Sequence, residues 1–133
     1  FGGNPVSCAV GLSVLDVIEE EGLRHNAVAR GEQLRAGFEK TRERCALIGD
    51  VRGRGLFLGV ELVLDRAART PAPRHARWVA ERMRQEGVLV STDGPDHNVI
   101  KLKPPLAFSN EDANWLLRIF EQVVLESALR IDS

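Results

Sequence analysis

Two lysines and a histidine near the carboxyl end of the chain are the side chains best suited to hold a ligand. Lys101 and Lys103 alternate with Leu102, so a strand would point both ammonium groups to the same side. The polar segment STDGPDHN, which contains His97, comes directly before this strand. Two ammonium groups beside such a loop can bind an anionic group of a substrate, with His97 as a further contact. The alternative is a solvated strand face, and the residues alone leave both interpretations open.

The stretch from position 50 to position 64, DVRGRGLFLGVELVL, predicts a β-hairpin rather than a nucleotide-binding loop. Its glycine spacing differs from G-x-G-x-x-G, and it runs into a strand where a phosphate site needs the start of a helix. Val51–Gly53 and Leu56–Leu64 form the two strands, and Gly55 permits the turn because glycine adopts positive φ. In the second strand, alternation separates an apolar face, which must be covered, from a mixed face. The apolar face holds Leu56, Leu58, Val60, Leu62 and Leu64, and the mixed face holds Phe57, Gly59, Glu61 and Val63.

The charged residues of this hairpin are expected to have structural roles. A buried carboxylate is costly unless it is paired, so Glu61 should reach the surface or pair with an arginine. Arg52 and Arg54 flank the turn and should be solvated or ion-paired.

No catalytic or metal-binding set can be assembled from the sequence. His25, His75 and His97 are far apart and lack partner ligands at metal-binding spacing. The two cysteines, Cys8 and Cys45, fall on different predicted helices. There is no catalytic triad, nucleophile elbow or glycosidase-like carboxylate pair. We therefore predict neither a catalytic residue nor a metal site in these 133 residues.

Net charge and composition indicate which classes of partner and which cell compartment to expect. A net charge of -1 gives no electrostatic reason to expect nucleic acid or a membrane surface. There is no signal-peptide pattern and no apolar run long enough to span a bilayer. Cys8 and Cys45 are expected to be free, buried thiols, which fits a reducing compartment. These features predict a cytoplasmic protein.

The first helix should have an unusual environment. Asn4 can cap it, and Pro5 suits its first turn because the missing N–H would be unpaired there. The helix should run to Glu21, and it is apolar on nearly every side. A small sheet covers only one side, so we expect the helix also to face a surface outside this chain.

The remaining elements complete an α+β fold. Their order, ααββαββα, predicts a two-layer small domain with a short, largely antiparallel sheet and helices packed on one face. Beyond the hairpin, helices are predicted at about 26–44 and 73–86, and a last helix is predicted to begin after a cap at Ser109. Strands are predicted at 88–90 and 99–102, with a loop at 91–98 between them.

Three stretches resemble the C-terminal small domain of class III aminotransferases, which depend on pyridoxal 5′-phosphate. They are FGGNPVSCAVGLSVLDVIEEEGL, DVRGRGLFLGVEL and VLVSTDGPDHNVIKLKPPLAFSNEDA, in the family's order. The third is most similar to the branch of ethanolamine-phosphate phospho-lyase and its alanine–glyoxylate aminotransferase-like relatives. The resemblance implies that residues 1–133 are the small domain of a fold-type I enzyme, with a large cofactor-binding domain upstream and a homodimeric assembly.

The resemblance also implies positions for ligand contacts. Phe1, Gly2, Gly3 and Asn4 would approach the cofactor of the neighbouring subunit. The lysine that binds the cofactor covalently would lie upstream, so the chain alone would be inert. Many members carry an arginine that grips the substrate α-carboxylate on the strand before Pro-Pro, and this chain has Lys101 there. Because lysine is a point charge and not a planar fork, Lys101 suits a phosphorylated amine better than an α-amino acid.

Three activities remain open at this stage. The resemblance implies amino-group transfer between an amine or amino acid and an oxo acid. The alternative within the family is a phospho-lyase that acts on a phosphorylated amine such as ethanolamine phosphate. The alternative of another class is a non-catalytic α+β module that binds a partner through its apolar first helix.

Overall fold

The structure is a computed structural model that describes residues 3–130. In chain order the elements are α1 (Pro5–Glu20), α2 (Leu23–Arg44), β1 (Ile48–Arg54), β2 (Phe57–Asp65), β3 (Thr70–Pro71), α3 (Pro73–Gln85), β4 (Ser91–Asp93), β5 (Val99–Leu102) and α4 (Asn110–Arg130). This confirms the predicted α+β order, with β3 as one additional short strand.

The strands form an open antiparallel sheet in the order β1-β2-β5-β4, and β3 pairs with the end of β2. The hairpin between β1 and β2 is confirmed, but Arg54 pairs with Phe57, which places the turn at Gly55-Leu56. Gly55 has φ 54°, as expected for the glycine of the turn.

One face of the sheet carries the core. Helices α2 and α3 contact the strands, and α4 packs against α2 and α3. Phe38 of α2 and Phe120 of α4 meet edge to face at 4.8 Å between ring centroids. The apolar side chains of α2, α3 and α4 face this core. The fully buried side chains include Leu34, Phe38, Ile48, Val60, Leu62, Val79, Met83, Ile100, Phe120, Val123 and Val124.

The predicted alternation along β2 is correct up to Leu62 and wrong beyond it. Leu64 is 55% exposed, whereas Val63 is buried. The cause is a register shift: Val63 pairs with Pro71 and Asp65 with Thr70, so Leu64 is an extra residue on β2. A bulge of this kind breaks the period of two on which the prediction rested.

The predicted strand 88–90 and loop 91–98 are also wrong, by three residues. The strand is β4, where Ser91 pairs with Lys101 and Asp93 with Val99. Val88 does not join the sheet, because its N–H donates to the carbonyl of Met83 and closes the end of α3. Tertiary pairing thus placed a polar segment in the sheet and left the more apolar one outside it.

Helix α1 begins as predicted but does not pack as predicted. The Asn4 side-chain oxygen accepts hydrogen bonds from the N–H groups of Val6 (2.9 Å) and Ser7 (3.4 Å). The expectation that the sheet would cover one side of the helix is wrong, since α1 contacts α2 and no strand, and none of its residues is buried. The expectation that both thiols are buried is wrong for Cys8, which is exposed on α1, and right for Cys45 just after α2.

Candidate functional site: a cleft on the open sheet face

The face of the sheet that points away from the helices carries a cleft of about 420 Å³. Because strand residues alternate between faces, the residues next to core positions on β2 and β5 point into it. The lining consists of Arg52, Gly53, Phe57, Leu58, Gly59, Asp93, Gly94, Val99 and Lys101.

Lys101 is held in this cleft by Asp93. Strand pairing puts Lys101 on β5 opposite Gly59 on one side and Ser91 on the other. The Lys101 Nζ donates to the Asp93 Oδ2 at 2.5 Å, and the Gly94 N–H donates to the other carboxylate oxygen at 2.9 Å. The hydrogen bond from Lys101, followed by that from Gly94, lowers the pKa of Asp93 below its usual value. Both side chains are partly exposed, 29% for Lys101 and 53% for Asp93, so a ligand can reach the pair.

Lys103 and His97 are not among the residues that line the cleft, although Lys103 reaches its edge at Phe57. Lys103 follows the end of β5, and its Nζ stands 4.7 Å from the centroid of the Phe57 ring in a cation–π contact. His97 is exposed in the loop between β4 and β5 with φ 52°, and it does not line the cleft. Its N–H donates to the carbonyl of Gly94 at 3.2 Å, which closes the loop. The structure therefore brings Lys101 to the cleft without His97, whose contact with a ligand stays a prediction.

The predicted pairing of Glu61 with an arginine is confirmed. Arg52 forms a salt bridge with Glu61 and another with Asp50, the latter at 2.8 Å. The hydrogen bonds to Asp50 and then to Glu61 raise the pKa of Arg52. Arg52 is thus engaged by two carboxylates, whereas Lys101 has one.

The amino-terminal segment offers backbone groups rather than charge. Gly3 has φ 93°, and, its chain neighbours aside, no heavy atom of the described residues lies within 4 Å of the position that a Cβ would occupy. Asn4 is engaged in capping α1, and the first basic residue in the sequence is Arg24, which pairs with Glu19. A contact of Gly3 and Asn4 with the cofactor of a neighbouring subunit stays a prediction. Phe1 and Gly2, predicted to share this contact, lie outside the described residues.

A separate apolar groove of about 770 Å³ runs along α1. Its walls are Pro5, Val6, Ala9, Val10, Ser13, Val14, Val17, Ile18, Leu23 and Leu106. All but one of these lining residues are apolar. Within residues 3–130, no three His, Cys, Asp or Glu side chains come together in a way that could hold a metal ion.

Two residues of structural importance were missed by sequence reasoning. Asp93 lay in a segment interpreted as loop, so its proximity to Lys101 could not be deduced. Asn98 is buried, and its side chain donates to the Leu62 carbonyl at 2.9 Å while its own carbonyl accepts from the Leu62 N–H at 2.8 Å. The position of an asparagine just before an apolar strand was the available signal.

The profile of the family Aminotransferase class-III matches residues 1–124. The chain belongs to the class III aminotransferase family.

Similar proteins include aminotransferases and a phospholyase. An "Alanine--glyoxylate aminotransferase 2-like" protein of Drosophila melanogaster is 50% identical over 92% of this chain. A phospholyase from Arthrobacter, solved in complex with phosphoethanolamine, is 41% identical with a TM-score of 0.88, over 92% of this chain and 29% of its own. An amine transaminase from an uncultivated Pseudomonas species, solved in its PLP-bound form, is 35% identical with a TM-score of 0.84, over 94% of this chain and 28% of its own.

The chain spans about a quarter of the length of the Drosophila relative. None of the helices in the described part of the chain combines the length and the hydropathy that a membrane span requires.

Proposed function

We propose that the chain is the C-terminal small domain of a pyridoxal-phosphate-dependent enzyme that transfers an amino group between an amine or amino acid and an oxo acid. The observation that carries this proposal is Lys101, an accessible cation in a cleft on the open sheet face. A cation at the end of this strand is placed to hold an anionic group of the substrate. The family membership and the PLP-bound relative support the cofactor.

When bound, pyridoxal phosphate supplies the electron sink that loosens bonds at the amine-bearing carbon. The contribution of this chain is to bind and orient. Lys101 attracts the anionic group of the substrate, and Gly3 and Asn4, with Phe1 and Gly2 before them, approach the cofactor of a neighbouring subunit through their backbone. Lys101 and Lys103 do not serve as the covalent lysine in this proposal, because both belong to the small domain and the family resemblance assigns that lysine to the large domain.

Elimination of phosphate from a phosphorylated amine is the second candidate function. The favouring observation is the type of residue at position 101. An ammonium group lacks the planar fork that binds a carboxylate in a bidentate manner, but it pairs well with a compact dianion. The Arthrobacter phospholyase, solved with phosphoethanolamine, supports this candidate.

The partners that we propose are the large domain of the same polypeptide and a second subunit. The support is α1, whose Val6, Val10 and Val14 are 72%, 59% and 52% exposed. An exposed apolar surface of this kind is typical of a helix that packs against another domain or subunit. We expect the isolated chain to self-associate, and Val10→Glu to weaken this association. Leu89→Glu is the control, because Leu89 is 84% exposed but lies outside the groove. Sedimentation showing a monomer at high concentration would count against the proposal that α1 is an interface.

The reaction is tested with the parent protein loaded with pyridoxal phosphate. Formation of a new oxo acid from an amino donor supports amino transfer, and phosphate release from phosphoethanolamine selects the second candidate. An absence of both activities in folded, loaded protein contradicts the proposal. A cytoplasmic location of the parent stays a prediction, and cell fractionation tests it.

The isolated chain provides a complementary test. We expect that pyridoxal phosphate and borohydride will not label a single lysine in a saturable manner, because the covalent lysine belongs to the large domain in this proposal. Saturable labelling at one lysine would contradict the assignment of the covalent lysine to the large domain.

A further inference from the structure

A second polar cavity, of about 380 Å³, lies between the end of α2, the β1–β2 pair and the loop that joins β2 to β3. It shares no lining residue with the cleft around Lys101. Its lining consists of Arg42, Gly49, Asp50, Glu61, Val63, Arg66 and Arg69. Three arginines and two carboxylic acids therefore line one cavity, which we call the dipolar pocket.

The opposite charges of the dipolar pocket do not pair with each other. Asp50 and Glu61 both form salt bridges with Arg52, which lies outside the lining. Arg42 pairs with Glu39 at 3.1 Å, also outside it. Among the described residues, no salt bridge joins a carboxylate of the pocket to one of its three arginines. Because one guanidinium cannot balance two carboxylates, the acidic side of the pocket keeps an excess of negative charge.

The basic side of the pocket keeps an excess of positive charge. The Arg66 Nε donates to the Ile48 carbonyl at 3.0 Å. Its Nη2 donates to the carbonyls of Arg42 and Cys45, at 2.6 and 2.8 Å. These bonds fix the guanidinium in place, but no carboxylate cancels its charge. Arg69 has no hydrogen-bond or salt-bridge partner within residues 3–130. Its φ is 54°, a value that favours glycine, so the turn itself gives no reason for an arginine there.

We propose that the dipolar pocket binds a small amino acid, with its carboxylate against Arg66 and Arg69 and its ammonium group against Asp50 and Glu61. A ligand with a single charge meets side chains of its own sign on one side of the pocket, and like charges repel. A zwitterion meets an opposite charge at both ends, and the planar guanidinium suits its carboxylate. A cavity of about 380 Å³ can hold such a molecule. The inference does not rest on the proposed function, because it concerns another cavity and involves no turnover.

The test is a titration of the 133-residue chain, followed by the NMR signals of the Gly49 amide and the Val63 methyl groups. The probes are two zwitterions of different length, glycine and 4-aminobutyrate, and two singly charged molecules, acetate and methylammonium, at one pH and ionic strength. At least one zwitterion should bind about fivefold more tightly than either singly charged probe, the scale of one partly exposed ion pair. Acetate that binds as tightly as both zwitterions would reveal an anion site only. No response to any probe would reveal a water-filled pocket only. Either result overturns the inference.

Two variants distinguish the two sides of the pocket. Arg69→Gln should weaken the binding of zwitterion and acetate alike, by about fivefold, because both use the basic side. Asp50→Asn should weaken the zwitterion but not acetate, because it changes the acidic side and leaves the pair of Glu61 with Arg52 in place. Arg54→Gln is the matched control, since Arg54 is exposed and lies outside the lining, and it should change neither affinity. Unchanged zwitterion binding in Arg69→Gln or in Asp50→Asn would also overturn the inference.

Discussion

Replacement of Gly31 by alanine tests how closely the hairpin is seated on the helical layer. Gly31 lies on the buried side of α2, and a Cβ built there would stand 2.3 Å from the carbonyl oxygen of Gly55 and 2.5 Å from its carbonyl carbon. Since ordinary contacts begin at 3.4 Å, α2 and the turn would have to separate by about 1 Å. The obstacle is backbone in a tight turn, which cannot swing aside as the end of a side chain does.

The free energy of unfolding should fall by about 2 kcal/mol. Overpacking of this kind costs about 1–3 kcal/mol, and the upper end applies because the added Cβ is fixed to the helix backbone and the atoms that it meets are main chain. Better helix propensity of alanine returns up to about 1 kcal/mol. The assay is urea unfolding followed by the fluorescence of Trp78 and Trp115, with stability obtained by linear extrapolation.

Gly11→Ala is the control for this substitution. Gly11 is also helical, but beyond the backbone of its own helix no atom in the described part of the chain lies within 4 Å of the position of its Cβ, so alanine there should not destabilise the chain. If Gly31→Ala were as stable as the unmodified protein, the close approach of α2 to the turn would be refuted.

Three further predictions concern substitutions at Asn98, Ser127 and Asp93. Asn98→Ala should lower the free energy of unfolding by about 1 kcal/mol. Asn98→Asp should lower it by more, because it sets a buried carboxylate against the Leu62 carbonyl. Chemical denaturation of both variants checks this. Ser127→Ala should be neutral or stabilising by up to about 1 kcal/mol in a thermal melt, because the Ser127 hydroxyl is buried without a hydrogen-bond partner among the described residues. Asp93 has a lowered pKa in the folded state, so its pairing with Lys101 stabilises the fold above the ordinary carboxyl pKa. This stabilisation is lost as the pH falls through the lowered pKa. Asp93→Asn should therefore make the free energy of unfolding depend less on pH on the acid side, as measured by denaturation at a series of pH values.

Elements defined by local chemistry could be predicted from the sequence. The Asn4 cap and Pro5 fix the start of α1, and the structure has both at the predicted places. Ser109 and Asp112 exchange hydrogen bonds at the start of α4 as a capping pair. The hairpin was predictable because its turn glycine and its alternation act within a few residues of chain.

Features that depend on distant parts of the chain could not be predicted in this way. The bulge at Leu64 exists because β3 pairs with the end of β2, and β3 has only two residues. The polar segment at 91–93 is a strand because β5 pairs with it, and its composition gives no indication of this. The exposure of α1 follows from where the other helices pack, which periodicity within α1 does not reveal.

The candidate site shows the same division. Alternation along β5 predicted that Lys101 points away from the core, and the structure agrees. The partner of Lys101 could not be predicted, because the sequence predicts a strand at 88–90 and a loop at 91–98 that contains Asp93. The aromatic partner of Lys103 could not be predicted either. Phe57 and Lys103 are far apart in sequence and meet only through the pairing of β2 with β5.

The most direct test of the central claim is steady-state kinetics of the parent enzyme with Lys101→Gln and Lys101→Arg. If Lys101 binds the anionic group of the substrate, Lys101→Gln should raise KM by about tenfold, the loss of one charge-assisted contact, with a smaller change in kcat. Lys101→Arg should shift the preference from a phosphorylated amine toward an α-amino acid, because the guanidinium binds a carboxylate through two hydrogen bonds. Unchanged KM values and an unchanged substrate preference in both variants would contradict the assignment of this cleft as the substrate side of the domain.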